Sequence, residues 1–163
     1  MTTTIDELAE YMRRRDLLLV TAESCTAGLI AARLADVPGA GDLLDCAFVT
    51  YSPQSKQRCL GVPASVLSEH NLTSEVVARA MVEGAMRASR ANVGIADTGM
   101  ASAEDPEIPP GTQCLAWAFR DGGALRIYSE TRRFPGDRQA VRRATAEYAL
   151  MRIPFYYEQD GAA

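Results

Sequence analysis

Lysine is almost absent from this sequence. Its 17 Lys+Arg residues include a single lysine, Lys56, the rest being arginine. Histidine is as scarce, His70 standing alone, and that excludes zinc sites built on two or three imidazoles of one chain. The cysteines Cys25, Cys46, Cys59 and Cys114 show no C-x-x-C spacing, which argues against zinc ribbons and thioredoxin-type dithiols. No apolar run approaches the ~20 residues needed to span a bilayer. The opening MTTTIDELAEYMRRR has no apolar segment of the kind a secretion signal carries. Excess basic charge is missing too: the net charge is -4, so no global positive field draws in nucleic acid or anionic membrane. These absences predict a soluble cytoplasmic protein with reduced thiols and no nucleic-acid or membrane partner.

What is present suits one ordinary domain. A chain of 163 residues, 47% hydrophobic and 23% charged, can bury a core without a metal or disulfide staple. Thr4 and Glu7 have capping-box spacing, predicting a helix to about Arg14. An apolar strand follows at 17–20, ending at Thr21-Ala22, and a helix is expected over 26–35. A second strand is expected at 46–51, then Ser52-Pro53 as the N-cap and first position of a short helix carrying Lys56. Helices are predicted at 65–70 and 74–89, a buried strand at 93–96, and a long loop from 98 to 111 with three prolines. Two strands, 112–119 and 125–133, flank Asp121-Gly122-Gly123, a hairpin signal. A last helix runs from Asp137 to about Arg152, and an aromatic then polar tail, frayed at its end, completes the chain. The expected fold is α/β: a single three-layer α/β/α domain over 1–163 with a mixed sheet, its core spanning about 4–152 and its tail 153–163.

Polar residues just past strand ends mark where α/β sheets hold ligands. In Thr21-Ala22-Glu23-Ser24-Cys25-Thr26-Ala27-Gly28, small residues before a helix leave its N–H groups free for an anion or developing oxyanion. Ser24 would sit at that mouth, although this segment alone is better read as Ser24 or Thr26 capping the helix. Tyr51 ends the second strand, and Lys56 lies one helical turn further on. A lysine in a partly desolvated pocket can serve as base for a serine hydroxyl. The plain alternative is a solvated surface lysine. Arginine bias, however, removes replaceable lysines first, because arginine stays charged and cannot act as a base. Thr98 and Gly99 begin the long loop and either line a pocket or start a turn. Arg138, at the start of the last helix, opposes the helix dipole and asks for an anionic partner, a ligand or a nearby carboxylate. Cys25 reads as a buried structural thiol, since His70, its one possible imidazole partner, sits on a surface-looking helix.

Taken in order, these segments resemble the C-terminal domain of the CinA family, which includes stand-alone PncC-type nicotinamide mononucleotide deamidases. The resemblance is carried by Thr21-Ala22-Glu23-Ser24-Cys25-Thr26, by Phe48-Val49-Thr50-Tyr51-Ser52 with Lys56, and by Leu60-Gly61-Val62-Pro63. Thr98-Gly99, 109–112 and Phe134-Pro135-Gly136-Asp137-Arg138 extend it. It implies a metal-independent, cofactor-free amidohydrolase that converts nicotinamide mononucleotide and water to nicotinic acid mononucleotide and ammonia. Ser24 would be the nucleophile, Tyr51 and Lys56 would handle proton transfer, and Thr26, Ala27, Gly28, Thr98, Gly99 and Arg138 would surround the substrate. The resemblance also implies a homodimer or larger homo-oligomer, in which Phe155-Tyr156-Tyr157 would find a contact.

The sequence departs from the family pattern in four places, one being the finish Ile153-Pro154-Phe155-Tyr156-Tyr157 where the family is Leu-rich. Ala27 replaces a glycine and is expected to crowd a backbone that approaches substrate. Glu104 and Asp105 add acids to a loop that is glycine-rich in the family, where they would repel a phosphate. Asp97 stands where an apolar residue is expected. The departures support two alternatives: a catalytically silent nucleotide- or protein-binding domain, or an amidase retuned to a different amide.

Overall fold

The computed structural model describes residues 3–159; the frayed end expected for the tail lies outside them. In chain order the elements are α1 (Ile5–Arg14), β1 (Leu19–Glu23), α2 (Leu29–Ala35), β2 (Leu44–Val49), α3 (Pro53–Leu60), α4 (Ala64–Glu69), α5 (Glu75–Arg87), β3 (Val93–Gly99), β4 (Thr112–Asp121), β5 (Ala124–Arg133), α6 (Arg138–Met151) and α7 (Ile153–Tyr157). The strands form one mixed sheet ordered β2-β1-β3-β4-β5. β1 pairs in parallel with β2 and β3, whereas β3–β4 and β4–β5 are antiparallel. Among the described residues, no helix is long and apolar enough to cross a membrane.

Local chemistry sets most boundaries. Thr4 and Glu7 form the expected reciprocal capping box, and Ser52 caps α3 with Pro53 in its first turn. Asp137 accepts from the Ala140 N–H at the start of α6. Gly122 and Gly123 adopt φ of 59° and 113° between β4 and β5, the left-handed conformations a two-residue hairpin requires.

The sheet is covered on both faces. Leu19, Val93, Ile95, Leu115, Trp117 and Phe119 turn toward α1, α2, α6 and α7. Alternate positions, Val20, Ala22, Ala96, Ala116 and Ala118, turn toward α5 and the end of α3. Small side chains on that second face let α5 lie close to the strands. The predicted tail boundary moves: Ile153 is fully buried, Tyr156 packs 4.6 Å from Trp117 and 5.0 Å from Tyr128, and Tyr157 lies 5.7 Å from Phe119. Tyr156 and Tyr157 thus pack half-buried onto the domain's own core, and Phe155 is the exposed one of the three.

Parallel pairing brings three strand ends to one edge. Glu23 is in register with both Val49 and Asp97, so the residues that follow β1 and β2 lie beside the last two residues of β3. Because β2 and β3 flank β1 on opposite sides, this edge is the switch point at which such sheets open a crevice.

Gly84 holds α5 against α3: a Cβ there would lie 2.0 Å from the Leu60 carbonyl oxygen. Gly84→Ala is expected to destabilise the protein by about 2–3 kcal/mol, since backbone cannot yield as a side-chain tip can. Urea unfolding would read it, and unchanged stability would show that the α3–α5 contact is not tight.

Candidate functional site

The turn after β1 departs from the expected helix over 26–35. Ala27 and Gly28 take φ of 48° and 99°, and α2 opens only at Leu29. The Leu29 N–H donates to the Thr26 carbonyl at 3.1 Å, but neither the Ser24 nor the Thr26 hydroxyl caps the helix. The buried Glu23 carboxylate accepts instead from the N–H groups of Gly28, Ile30 and Ala31, at 3.0, 2.9 and 3.1 Å. Thr21 and Thr26 add hydroxyl contacts of 2.8 and 2.7 Å. Ser24 is thereby left on a turn with its hydroxyl free to face outward.

Lys56 meets it there. Its amine is buried, only 1% of the residue being exposed, and Nζ lies 3.0 Å from Ser24 Oγ. Two further contacts reach backbone carbonyls, Thr50 at 2.5 Å and Tyr51 at 3.4 Å. Desolvation pulls the Lys56 pKa down from 10.5 to about 8, partly opposed by the Asp97 charge. The lone lysine is therefore a buried amine on a serine, and the surface-charge reading of it is ruled out.

A cavity of about 430 Å³ opens over this pair, its lining including Ser24, Cys25, Tyr51, Lys56, Thr98 and Arg138. Asn71, Leu72 and Thr73 close one side, while Glu104 and Asp105 from the long loop close another. The Thr98 hydroxyl is already committed, donating to the Leu72 carbonyl at 2.7 Å. Gly99 lines the cavity where a Cβ would fall 2.3 Å from the Gln113 side chain. Its N–H points past the end of β1: the Asp97 carbonyl faces Ser24 and Met100 faces β4, so Gly99, two residues after Asp97, faces the crevice.

Several expected residues stand elsewhere. Thr26 is fully buried on Glu23 and Asp97, and Ala27 and Gly28 are not among the residues lining the cavity. These three shape the turn from behind; Ala27 pays in backbone conformation, not in crowding of a ligand. The Tyr51 ring is 57% exposed and its hydroxyl accepts from Arg138 Nη2 at 2.7 Å, whereas only its carbonyl meets Lys56. Arg138 also reaches Ser102 Oγ at 3.1 Å and Glu104 at 3.3 Å, so a nearby carboxylate answers its charge. Burial pushes the Cys25 thiol up, and its sulfur accepts from Gln113, as a structural cysteine would.

Glu23 and Asp97 are the residues to which sequence reasoning assigned no part in the site. Glu23 carried a signal, a carboxylate between an apolar strand and a run of small residues. Asp97 carried none beyond its odd polarity, since its partners Ser24 and Thr26 are more than 70 residues away.

The fold and site together define a three-layer α/β domain with a buried lysine set against a half-buried serine at the sheet's switch point. Residues 1–155 match the CinA C-terminal domain, and the chain belongs to that family. It is 42% identical over 152 residues to the nicotinamide-nucleotide amidohydrolase PncC of Pseudomonas putida, covering 92% of each chain. A CinA-like protein of Akkermansia muciniphila is 44% identical over 142 residues, but these make up only 34% of that longer relative. Among solved structures, the competence damage-inducible protein A of Klebsiella pneumoniae superposes with a TM-score of 0.87 at 32% identity, over 96% of each chain.

A lysine held below its ordinary pKa makes folding favour the neutral amine. The stability this gives is complete above pH 10.5 and is lost as pH falls through about 8. At pH 7 the buried ammonium is therefore a net cost, and Lys56→Met is expected to stabilise the protein by about 1–2 kcal/mol, less as pH rises past 8. Denaturant unfolding at pH 7 and 10 would measure this; a destabilised variant at pH 7 would contradict it.

Proposed function

We propose that this chain is an amidohydrolase that converts the carboxamide of nicotinamide mononucleotide to a carboxylate, releasing ammonia. The observation that carries the reading is the 3.0 Å contact between Lys56 Nζ and Ser24 Oγ in a chain of the CinA family. A neutral amine has two N–H bonds and one lone pair. The Thr50 and Tyr51 carbonyls can only accept, so they take the two N–H bonds and leave the lone pair for the serine hydroxyl.

Chemistry follows from that arrangement. Ser24 Oγ attacks the carboxamide carbon while its proton passes to Lys56. The Gly99 N–H faces the region where the tetrahedral oxyanion forms. The Lys56 ammonium then returns its proton to the departing nitrogen, which leaves as ammonia and an ester on Ser24. Water, deprotonated by Lys56, opens that ester to the acid and restores the serine. Tyr51 and Arg138, bonded to each other, act on the substrate's distal part, and Lys56 alone handles the protons. The Pseudomonas putida relative, a nicotinamide-nucleotide amidohydrolase, supports nicotinamide nucleotide as the substrate class.

Glu104 favours a second reading, an amide without phosphate. Its carboxylate occupies Arg138, the cation an anionic substrate would need. Comparing turnover of nicotinamide mononucleotide with nicotinamide riboside separates the two: the mononucleotide is expected to have the higher kcat/KM, and preference for the riboside would establish the second.

Ammonia release from the mononucleotide is the direct test. Ser24→Ala is expected to lower kcat by ~10⁴-fold or more, and Lys56→Arg by ~10²–10⁴-fold, because guanidinium keeps charge but cannot act as base. Full activity in Ser24→Ala would overturn the reading.

A further inference from the structure

Asp97 has no part in the proton transfers above, yet it is wholly buried beside them. One carboxyl oxygen, Oδ1, accepts from the Ser24 N–H at 3.1 Å, and the other, Oδ2, from the Thr26 N–H at 3.3 Å. The Thr26 hydroxyl lies 2.5 Å from Oδ1 and 2.7 Å from Glu23 Oε1. That hydroxyl has one proton and two carboxyl neighbours. With Asp97 ionised it can donate to Asp97; with Asp97 protonated it accepts from Asp97 and donates to Glu23.

We propose that Asp97 is a positioning residue of the Ser24–Lys56 pair: its buried carboxylate clamps the turn that carries Ser24 and sets the charge that Lys56 faces. The inference rests on the reading of Ser24 and Lys56 as the reacting groups. Lys56 on α3 faces Asp97 as its one charged neighbour of note. Asp97 is faced in turn by Lys56, by Glu23 of β1 and by the Cys25 thiol, with Arg138 and Arg142 of α6 acting on that thiol from further out.

The clamp works in two ways. Bonds to both ends of the turn remove the freedom of Ser24 to swing away from Nζ, and positional looseness of that kind costs rate in any nucleophile–base pair. The negative charge offsets the desolvation of the amine, keeping Lys56 from becoming too weak a base. Burial raises the Asp97 pKa to about 6, so the charge is present at neutral pH and is lost in mild acid.

The scarcity of lysine makes a direct test available. Protein labelled with carbon-13 at the lysine ε-carbon has one such resonance, that of Lys56, and its pH titration needs no substrate. In the wild type it is expected to titrate near 8, and in Asp97→Asn about one unit lower, since an amide removes the stabilising negative charge. Independently, the wild-type Ser24 and Thr26 amide protons are expected to shift together with a midpoint near pH 6. An unchanged Lys56 midpoint in a folded Asp97→Asn overturns the charge role, and amide protons that stay still between pH 5 and 7 overturn the clamp. Should Asp97→Asn fail to fold, the wild-type amide titration decides. Loss of the proposed amidohydrolase activity would appear as absent ammonia release in wild type, with these titrations unaffected.

Discussion

Four donors and a threonine hydroxyl shared with Asp97 converge on one carboxylate at the end of β1, and the site depends on that convergence. Glu23 gathers the Thr21 hydroxyl, three backbone N–H groups of the following turn and helix, and a contact to the Thr26 hydroxyl that it shares with Asp97. A buried carboxylate without such partners would be costly; with them it ties strand, turn and helix into one unit. The helix is delayed to Leu29 because its cap comes from the preceding strand. In the interval between strand and helix, Ser24 is held outward at the edge of the sheet. Asp97, one strand over, secures the same turn from the other side.

Against this fixed serine the fold sets a lysine it has taken out of water. Burial of an amine opposes stability, and at neutral pH two carbonyls and a hydroxyl compensate only in part. Such an arrangement is what a base needs: a nitrogen whose pKa lies near ambient pH, with one lone pair directed at one proton. The cavity above it is mixed in sign. Arg138 offers a cation, but Glu104 and Asp105 stand on the facing loop, and Glu104 pairs with the guanidinium.

Local signals made much of this legible in the sequence. The Thr4 and Ser52 capping boxes, the Pro53 helix start, the Gly122-Gly123 hairpin and the apolar strand at β3 all depend on residues within a turn or two of each other. Ser24 and Lys56 were legible as candidates because each follows a strand end, and parallel pairing brings those ends together. Long-range partnerships were not legible. The expected helix over 26–35 failed because a side chain outside it satisfied its donors. Thr26, Ala27 and Gly28 looked like ligand contacts by their position before a helix, yet Thr26 is buried on Glu23 and Asp97, and Ala27 and Gly28 do not line the cavity. Tyr51 was expected at the proton transfer, but Arg138, 87 residues later, holds its hydroxyl. Asp97 looked like an intrusion because its two acceptor contacts belong to residues of another strand's turn. Nothing in the sequence of the aromatic tail announces that Trp117 and Phe119 lie beneath Tyr156 and Tyr157.

The central claim is that a neutral Lys56 is the base for Ser24, and the pH dependence of kcat/KM for nicotinamide mononucleotide tests it most directly. The rate is expected to climb with pH along a limb bending near 8, where Lys56 loses its proton. A profile that is flat from pH 6 to 9, or that falls as Lys56 becomes neutral, would contradict it.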